Sequence, residues 1–198
     1  MTKIVGVGPH YRSFLQHLGK EEPGRLLVFV KPCTTVIQNG MPIEIPADLE
    51  KVNAEVEIGI RICRMVRKET LAEVTAVPAI DGLLLCGDIT ATESHAFGMG
   101  KIYDTFTPCS EVVAYHPGQS IRIMGYLNDV VQQDAMSEEM TFNFEEIVAY
   151  CSQVLTLEKG DIILSGTPAT PFRIQPGDHV RFESPQLGTL IHAVISAS

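Results

Sequence analysis

The segment Glu55-Val56-Glu57-Ile58-Gly59-Ile60-Arg61-Ile62-Cys63 alternates strictly between apolar residues and others. A period of two is typical of a half-buried β-strand, and it places Glu55 and Glu57 together on the face opposite the branched residues. Their Cα atoms are then roughly 7 Å apart, so the two carboxylates can converge on one point. Because they repel each other without a cation, the pair indicates either a hydrated strand face or a site for a hard divalent cation such as Mg²⁺.

The rest of the chain predicts many short strands and few helices. Further strands are expected at residues 26–30, 82–87 and 121–127, and Asn39-Gly40 predicts a hairpin between residues 35–37 and 43–45. Helices are expected at residues 11–18, 70–77 and 144–157, the last after a capping box formed by Asn143 and Glu146. Glycine turns at positions 118, 160 and 177 precede strands. These elements favour a β-rich α+β fold, and because no linker divides the chain we expect one domain over residues 1–198.

The composition excludes several classes of function. The net charge of −9 argues against binding to nucleic acid or to an anionic membrane surface. We find no secretory signal pattern and no apolar run of about 20 residues, which a membrane-spanning helix needs. The five cysteines are scattered and include no CxxC pair, so they are expected to be reduced thiols in a cytoplasmic protein.

Three further segments favour a metal site. Asp88 directly follows the predicted strand 82–87, and strand ends are a common place for site residues. Lys101 follows a glycine-rich loop. Gly166 and Thr167 follow the apolar segment 162–165, where a backbone N–H and a hydroxyl can both donate to a carboxylate oxygen.

With these segments in order, the chain resembles the fumarylacetoacetate hydrolase family. The motifs that carry the resemblance span nearly the whole chain, and the long segment from Thr156 to Pro168 is the most specific. The motifs are Phe29-Val30-Lys31-Pro32, Glu55-Val56-Glu57, Gly87-Asp88-Ile89-Thr90-Ala91, Lys101-Ile102-Tyr103-Asp104-Thr105-Phe106-Thr107-Pro108, Thr156-Leu157-Glu158-Lys159-Gly160-Asp161-Ile162-Ile163-Leu164-Ser165-Gly166-Thr167-Pro168 and Pro176-Gly177-Asp178.

The resemblance implies a mixed β-sheet roll like the family's C-terminal domain, usually assembled as a homodimer. It implies that Glu55, Glu57 and Asp88 hold Mg²⁺ or Mn²⁺. It further implies that Lys101 is the active-site lysine and that Thr167 contacts the substrate, with its neighbour Gly166 as a further candidate for substrate binding. Family substrates are small 2-oxo acids or 1,3-dicarbonyls, on which a bound divalent ion acts as a Lewis acid and a lysine adds charge or moves a proton, with a pKa lowered near the ion.

The chain departs from the family pattern at the residues that handle protons and anions. In the early His-containing motif, the position of the family's histidine is Phe14 and that of its glutamate is His17. His17 is either a substitute proton carrier or an exposed helix histidine. Downstream, Thr92 replaces an arginine and His95 a glutamine, so His95 is a candidate substrate contact, with a structural role as the alternative.

These departures rank the reactions that the site could perform. Hydrolysis of a C–C bond needs an activated water, whereas tautomerisation and decarboxylation mainly need a metal and a proton donor such as Lys101. We therefore favour isomerase or decarboxylase chemistry on a small anionic 2-oxo acid. An acylpyruvate-type hydrolase, a relative that binds small acids without turnover, and a plain β-rich interaction domain are the alternatives.

Overall fold

The largest sheet of the protein is seven-stranded and mixed. The computed structural model describes residues 3–21, 25–93, 99–168 and 170–197. The strands of this sheet are β1 (Ile4–Gly8), β2 (Leu27–Lys31), β5 (Val52–Ile62), β6 (Ile80–Ala91), β8 (Val113–Ala114), β11 (Ile162–Leu164) and β12 (Phe172–Ile174). Their order is β2-β1-β11-β5-β6-β8, and β12 pairs with the start of β5. β1 and β11 run parallel, and the other pairs are antiparallel.

Two smaller sheets and three α-helices complete the described part of the chain. A five-stranded sheet has the order β10-β9-β13-β14-β4, and β3 pairs with β7 in a parallel two-stranded sheet. These strands are β3 (Val36–Ile37), β4 (Ile43–Ile45), β7 (Thr107–Pro108), β9 (Arg122–Leu127), β10 (Val130–Met136), β13 (His179–Ser184) and β14 (Gly188–Ser196). The helices are α1 (Arg12–His17), α2 (Leu71–Ala76) and α3 (Phe144–Val154). The β-rich α+β fold expected from the sequence is confirmed.

The core lies between the two large sheets. Val56, Ile58 and Ile60 are fully buried and belong to one large apolar cluster that includes residues of β9, β13 and α3. The apolar face of the alternating segment is therefore the inner face of the seven-stranded sheet. The strand is longer than expected because its partner β6 pairs with it from Val52 to Ile62.

Local signals in the sequence identify most turns and helix starts correctly. Asn143 caps α3, and its reciprocal hydrogen bonds with Glu146 form the expected capping box. The glycines at positions 118, 160 and 177 have φ values of 78°, 89° and 99°, as their turns require. The five cysteines are free thiols.

Two expectations about local structure are wrong. The segments on either side of Asn39-Gly40 do not pair with each other: β3 pairs with β7, and β4 pairs with the distant β14. Asp88 does not follow its strand but lies within it, because β6 continues to Ala91. In both cases pairing between distant segments outweighs the local signal.

No helix among the described residues is long and apolar enough to cross a membrane.

Candidate metal centre

The pairing of β5 with β6 brings three carboxylates together. Glu55 lies directly opposite Asp88 in the antiparallel ladder, and Glu57 lies two residues further along the same face. The ligand oxygens of Glu55, Glu57 and Asp88 all lie within 4.8 Å of one another. Of the residues that the structure describes, these three form the one group of His, Cys, Asp or Glu side chains close enough to share an ion.

The three carboxylates lie in the interior of the protein. Glu55, Glu57 and Asp88 are only 9%, 3% and 1% exposed. The interpretation as a hydrated strand face is therefore wrong. The outer face of the sheet also carries a second apolar cluster, which includes Leu84 and Cys86 of β6. Buried carboxylates need a compensating charge, since desolvation disfavours their ionised form.

Lys31 supplies part of that charge from the end of β2. Its side chain is fully buried, and its Nζ donates to Asp88 Oδ1 at 2.5 Å, to the Phe106 carbonyl at 2.7 Å and to the Ile89 carbonyl at 3.3 Å. An ammonium has three donors, so this set of acceptors satisfies it completely. Lys31 therefore fixes the position of Asp88. Its motif contributes to the family resemblance, but no sequence pattern assigns this lysine a role.

Lys101 is the second cation at the cluster. Its Nζ donates to the other oxygen of Asp88 and, at 2.7 Å, to Thr90 Oγ1, and it lies 3.7 Å from Glu55 Oε2. The same ammonium lies 4.4 Å from the centre of the Phe29 ring. That ring occupies the space above Gly6, where a Cβ atom would clash with it. Lys101 is thus placed beside the carboxylates, as the resemblance implies.

Gly166 and Thr167 support the cluster from the end of β11. The Gly166 N–H donates to Glu57 Oε2 at 2.7 Å, and its φ of 92° is a conformation that favours glycine. Thr167 Oγ1 donates to the Val56 carbonyl at 3.2 Å. The carboxylate that receives the Gly166 N–H is therefore that of Glu57, and the predicted contact of Gly166 with substrate stays a prediction.

Gln133 connects this support to the second sheet, although no motif in the sequence pointed to it. Its side chain is buried within β10. Its Oε1 accepts from the Val56 N–H at 2.9 Å, and its Nε2 donates to Thr167 Oγ1 at 2.9 Å and to the Pro168 carbonyl at 2.6 Å. The side-chain amide of Gln133 thus holds both Val56, which lies between the two glutamates, and Thr167 of the cavity. The surrounding sequence, Val130-Val131-Gln132-Gln133-Asp134, carries no alternation that would have marked Gln133 as buried.

The electrostatics of the cluster follow from burial and from the two lysines. Burial raises the pKa of Glu55 to about 7, although the charge of Lys101 opposes this shift. Burial, with the charges of Asp88 and Glu55, raises the pKa of Glu57 well above its usual range. Burial also acts to raise the pKa of Asp88, but the charges of Lys31 and Lys101 outweigh it and hold that pKa below its usual value. Against the desolvation that lowers it, the carboxylates raise the pKa of Lys101, so its ammonium form is favoured.

A cavity of about 280 Å³ opens onto the carboxylates. Its polar lining consists of the three carboxylates with Lys101 and Thr167. The remaining described residues that line it are Val7, Gly8, Pro9, Phe14, Leu18, Leu27 and Phe29. A larger cavity of about 490 Å³ lies between α2 and the start of α3, but the buried carboxylate group is not among its lining residues. The smaller cavity is therefore the candidate active site.

The two histidines predicted from the sequence do not join the described cluster. His17 is exposed on α1, and the centroid of its ring lies 6.4 Å from that of Phe14. It is not among the described residues that line the cavity. Its catalytic role stays a prediction without support from the geometry. His95 lies outside the described residues.

A third histidine, His10, packs behind the cluster and was not singled out from the sequence. It is fully buried, and its Nε2 is hydrogen-bonded to the Ser165 carbonyl. Burial lowers its pKa, against the effect of that hydrogen bond. His10 is therefore a neutral side chain that fixes the segment leading to Gly166.

The donor set fits a hard divalent cation. All three candidate ligand groups are carboxylates, which suit Mg²⁺ or Mn²⁺. Three carboxylates against the ammonium groups of Lys31 and Lys101 also leave one negative charge in the cluster without a compensating cation. Three buried carboxylates, a protonated lysine and an adjoining cavity define a metal-dependent enzyme.

Comparison with known proteins identifies the class further. The sequence model of the fumarylacetoacetate (FAA) hydrolase C-terminal family matches residues 3–195. The chain belongs to this family and is an enzyme of it.

Its relatives include isomerases and a decarboxylase. The chain is 36% identical over 179 residues to a mitochondrial oxaloacetate tautomerase of Arabidopsis thaliana, a match that covers 84% of this chain and 79% of the relative. It is 29% identical to a mitochondrial oxaloacetate decarboxylase of Dictyostelium discoideum, over 90% of this chain and 87% of that protein. A solved structure of a 2-hydroxyhepta-2,4-diene-1,7-dioate isomerase from Mycobacterium marinum superposes with a TM-score of 0.87 at 30% identity, covering 100% of this chain and 75% of that one. These findings fit a metal-dependent isomerase or decarboxylase of 2-oxo acids.

Proposed function

We propose that this protein interconverts the keto and enol forms of small 2-oxo acids, with decarboxylation of 3-carboxylated 2-oxo acids as a second activity. The observation that carries this proposal is the convergence of Glu55, Glu57 and Asp88 on one point beside Lys101. The names of the tautomerase and decarboxylase relatives support the same chemistry.

Glu55, Glu57 and Asp88 would hold Mg²⁺ or Mn²⁺. When bound, the ion would supply Lewis-acid charge that acidifies the C–H next to a 2-oxo carbonyl. Lys31 would keep Asp88 ionised and in place, because it bonds Asp88 from inside the sheet. Gly166 would do the same for Glu57 through its backbone N–H.

We assign to Lys101 the transfer of the proton to and from C3 of the substrate. Its Nζ donates to Asp88 and lies 3.7 Å from Glu55 Oε2, so it is placed to stabilise the negative charge that develops on the substrate oxygen and to deliver a proton to C3 of an enol. In that direction a Lys101 N–H bond breaks as the C–H bond forms at C3, and the enol O–H proton passes to the Lys101 amine, so the ammonium is restored with no change of oxidation state. The reverse reaction returns the proton to Lys101.

The lining of the cavity disfavours the hydrolase alternative. At the position of the family's proton-transferring histidine, Phe14 contributes an apolar ring to the cavity. Such a ring cannot activate water. Tautomerisation needs no water as a reactant, so the loss of that histidine leaves it intact.

The proposal is tested by following the ultraviolet absorbance of freshly dissolved enols. Enol-oxaloacetate and enol-phenylpyruvate are mixed with enzyme and Mg²⁺ or Mn²⁺, and the same samples are assayed for released CO₂. We expect the absorbance of at least one enol to decay faster with enzyme and metal. Because the ion supplies several kcal/mol of charge stabilisation, we expect Asp88→Asn to lose at least about a hundredfold in rate.

Two outcomes would contradict the proposal. No metal-dependent acceleration with either enol would leave the protein as a binder without turnover. An unchanged response of Asp88→Asn to the metal would mean that the ligand assignment is wrong.

The homodimer and the cytoplasmic location expected from the sequence stay predictions. Light scattering coupled to gel filtration measures the first, and imaging of a tagged full-length chain measures the second.

A further inference from the structure

We propose that the preferred substrate of the keto–enol reaction is a 2-oxo monocarboxylate with an apolar tail, and that dicarboxylates of the oxaloacetate type, on which the second activity acts, bind more weakly. This inference rests on the proposed function, and it concerns the part of the substrate that lies away from the reacting carbons.

The cavity changes character from its buried end to its opening. The buried end holds the three carboxylates and Lys101. The remaining wall is formed mainly by the apolar side chains of Phe14, Leu18, Leu27 and Phe29. Leu18 and Leu27 are 45% and 69% exposed, so they form a rim that an apolar ligand would cover.

The described lining of the cavity offers no unpaired lysine or arginine as a counter-charge for a second substrate carboxylate. Lys101 is the one lysine or arginine among the described residues that line it, and it is already bonded to Asp88. Lys31 is fully buried with its three acceptors and cannot turn towards the cavity. Outside the described part of the chain there is no lysine or arginine, and His95 is the one side chain there that can carry a positive charge.

The charge balance points the same way. Three carboxylates and two lysines leave one negative charge, and a divalent cation converts this into one positive charge. One substrate carboxylate neutralises that charge. A second one would lie against apolar side chains without a partner, which disfavours its binding.

Calorimetry with two non-reacting ligands tests the inference. N-phenyloxamate and N-oxalylglycine share the oxamate group and differ in their tails, one apolar and the other a carboxylate. With Mg²⁺ at pH 7.5, we expect the wild-type protein to bind N-phenyloxamate at least about tenfold more tightly, from burial of the ring and the unpaired second carboxylate. An equal or higher affinity for N-oxalylglycine would overturn the inference.

Variants of the rim strengthen the test. Phe14→Arg should raise the affinity for N-oxalylglycine and lower that for N-phenyloxamate. Leu18→Arg should act in the same direction and, being exposed, should not disturb folding. Val154→Arg is the matched control, since Val154 is exposed on α3 and is not among the residues that line the cavity. If Phe14→Arg and Leu18→Arg both left the ratio of the two affinities unchanged, the inference would also be overturned.

Oxalate, which has no tail, separates this inference from the proposed function. If oxalate binds only with Mg²⁺ while N-oxalylglycine binds more tightly than N-phenyloxamate, the proposed function stands and the preference for an apolar tail is wrong. If oxalate does not bind with Mg²⁺, the proposed function fails and the inference fails with it.

Discussion

On one face of the β5–β6 ladder, Val56, Ile58 and Ile60 pack into the core between the two sheets, whereas on the other face Glu55 and Glu57 meet Asp88. Both faces are buried, but for opposite energetic reasons. The apolar face stabilises the fold by leaving water. The acidic face destabilises it until cations compensate the buried charge. In this one strand, the residues on one face stabilise the fold and those on the other face form the active site. Substitutions on the apolar face should therefore change stability, and substitutions on the acidic face should change activity.

The largest effect is expected on the acidic face. Glu57→Gln removes a ligand charge but keeps an oxygen for the Gly166 N–H. We expect a loss of about a thousandfold in kcat/KM, equivalent to about 4 kcal/mol, and a loss of the metal-induced rise in Tm. Without metal, the variant should be at least as stable as the wild type, because a carboxylate with a raised pKa has been removed. Glu44→Gln, at an exposed position of β4, is the matched control.

The next effect is expected on the apolar face. Ile58→Ala leaves a cavity in the core and should lower the free energy of unfolding by about 3 kcal/mol in urea titrations. Its metal-induced rise in Tm should remain. If Ile58→Ala lost the metal response while folded, the two faces would not be independent. Ile191→Ala, at a half-exposed position, should lower the free energy of unfolding far less.

Gln133 joins the two faces, so its variant should affect both. Gln133→Leu leaves the buried Val56 N–H without its acceptor, and we expect a loss of about 2 kcal/mol in the free energy of unfolding. Thr167 loses its hydrogen-bond donor as well, so KM should rise. Gln132→Leu, the exposed neighbour, should change neither quantity. A rise in KM for Gln132→Leu would mean that strand β10 acts on the pocket by another route.

The acidic face should also make metal binding depend on pH. The pKa of Glu55 is raised from its usual 4.5 to about 7, so the metal-free folded protein binds more protons than the unfolded chain between these values. The contribution of Glu55 to stability is present below pH 4.5 and is lost as the pH rises through 7. Metal affinity should change in the opposite sense, falling by about tenfold per pH unit below 7 as the ligand is protonated. Thermal melts with and without Mg²⁺ from pH 5 to 8 measure both trends, and a Mg²⁺-induced rise in Tm that does not change with pH would contradict the assignment.

The smallest effect is expected at His17. Because this side chain is exposed on α1, His17→Ala should change kcat/KM by less than about twofold. A loss of tenfold or more, with Tm unchanged, would restore the catalytic role predicted from the sequence.

The sequence predicted features that depend on neighbouring residues or on alternation. The alternation of β5, the capping box of α3 and the glycine turns were sufficient for their elements, and the acidic group could be assembled from the ordered family motifs. It did not predict how β3 and β4 pair, because their partners lie far away in the chain.

The burial of individual side chains was the other property that could not be predicted from the sequence. The hydrated face expected for β5 is covered, and Lys31 at the end of a short apolar strand gave no sign that it would bond Asp88 across the sheet. A lysine is seldom fully buried, so its pairing becomes visible only when the strands are placed side by side.

The direct pairing of Glu55 with Asp88 also links folding accuracy to ion affinity. A shift of β6 by one residue against β5 would turn Asp88 towards the core and remove it from the acidic group. Ion titration therefore reports whether two distant stretches of chain have found their correct alignment, and a misaligned but compact species would reveal itself by failing to bind Mg²⁺.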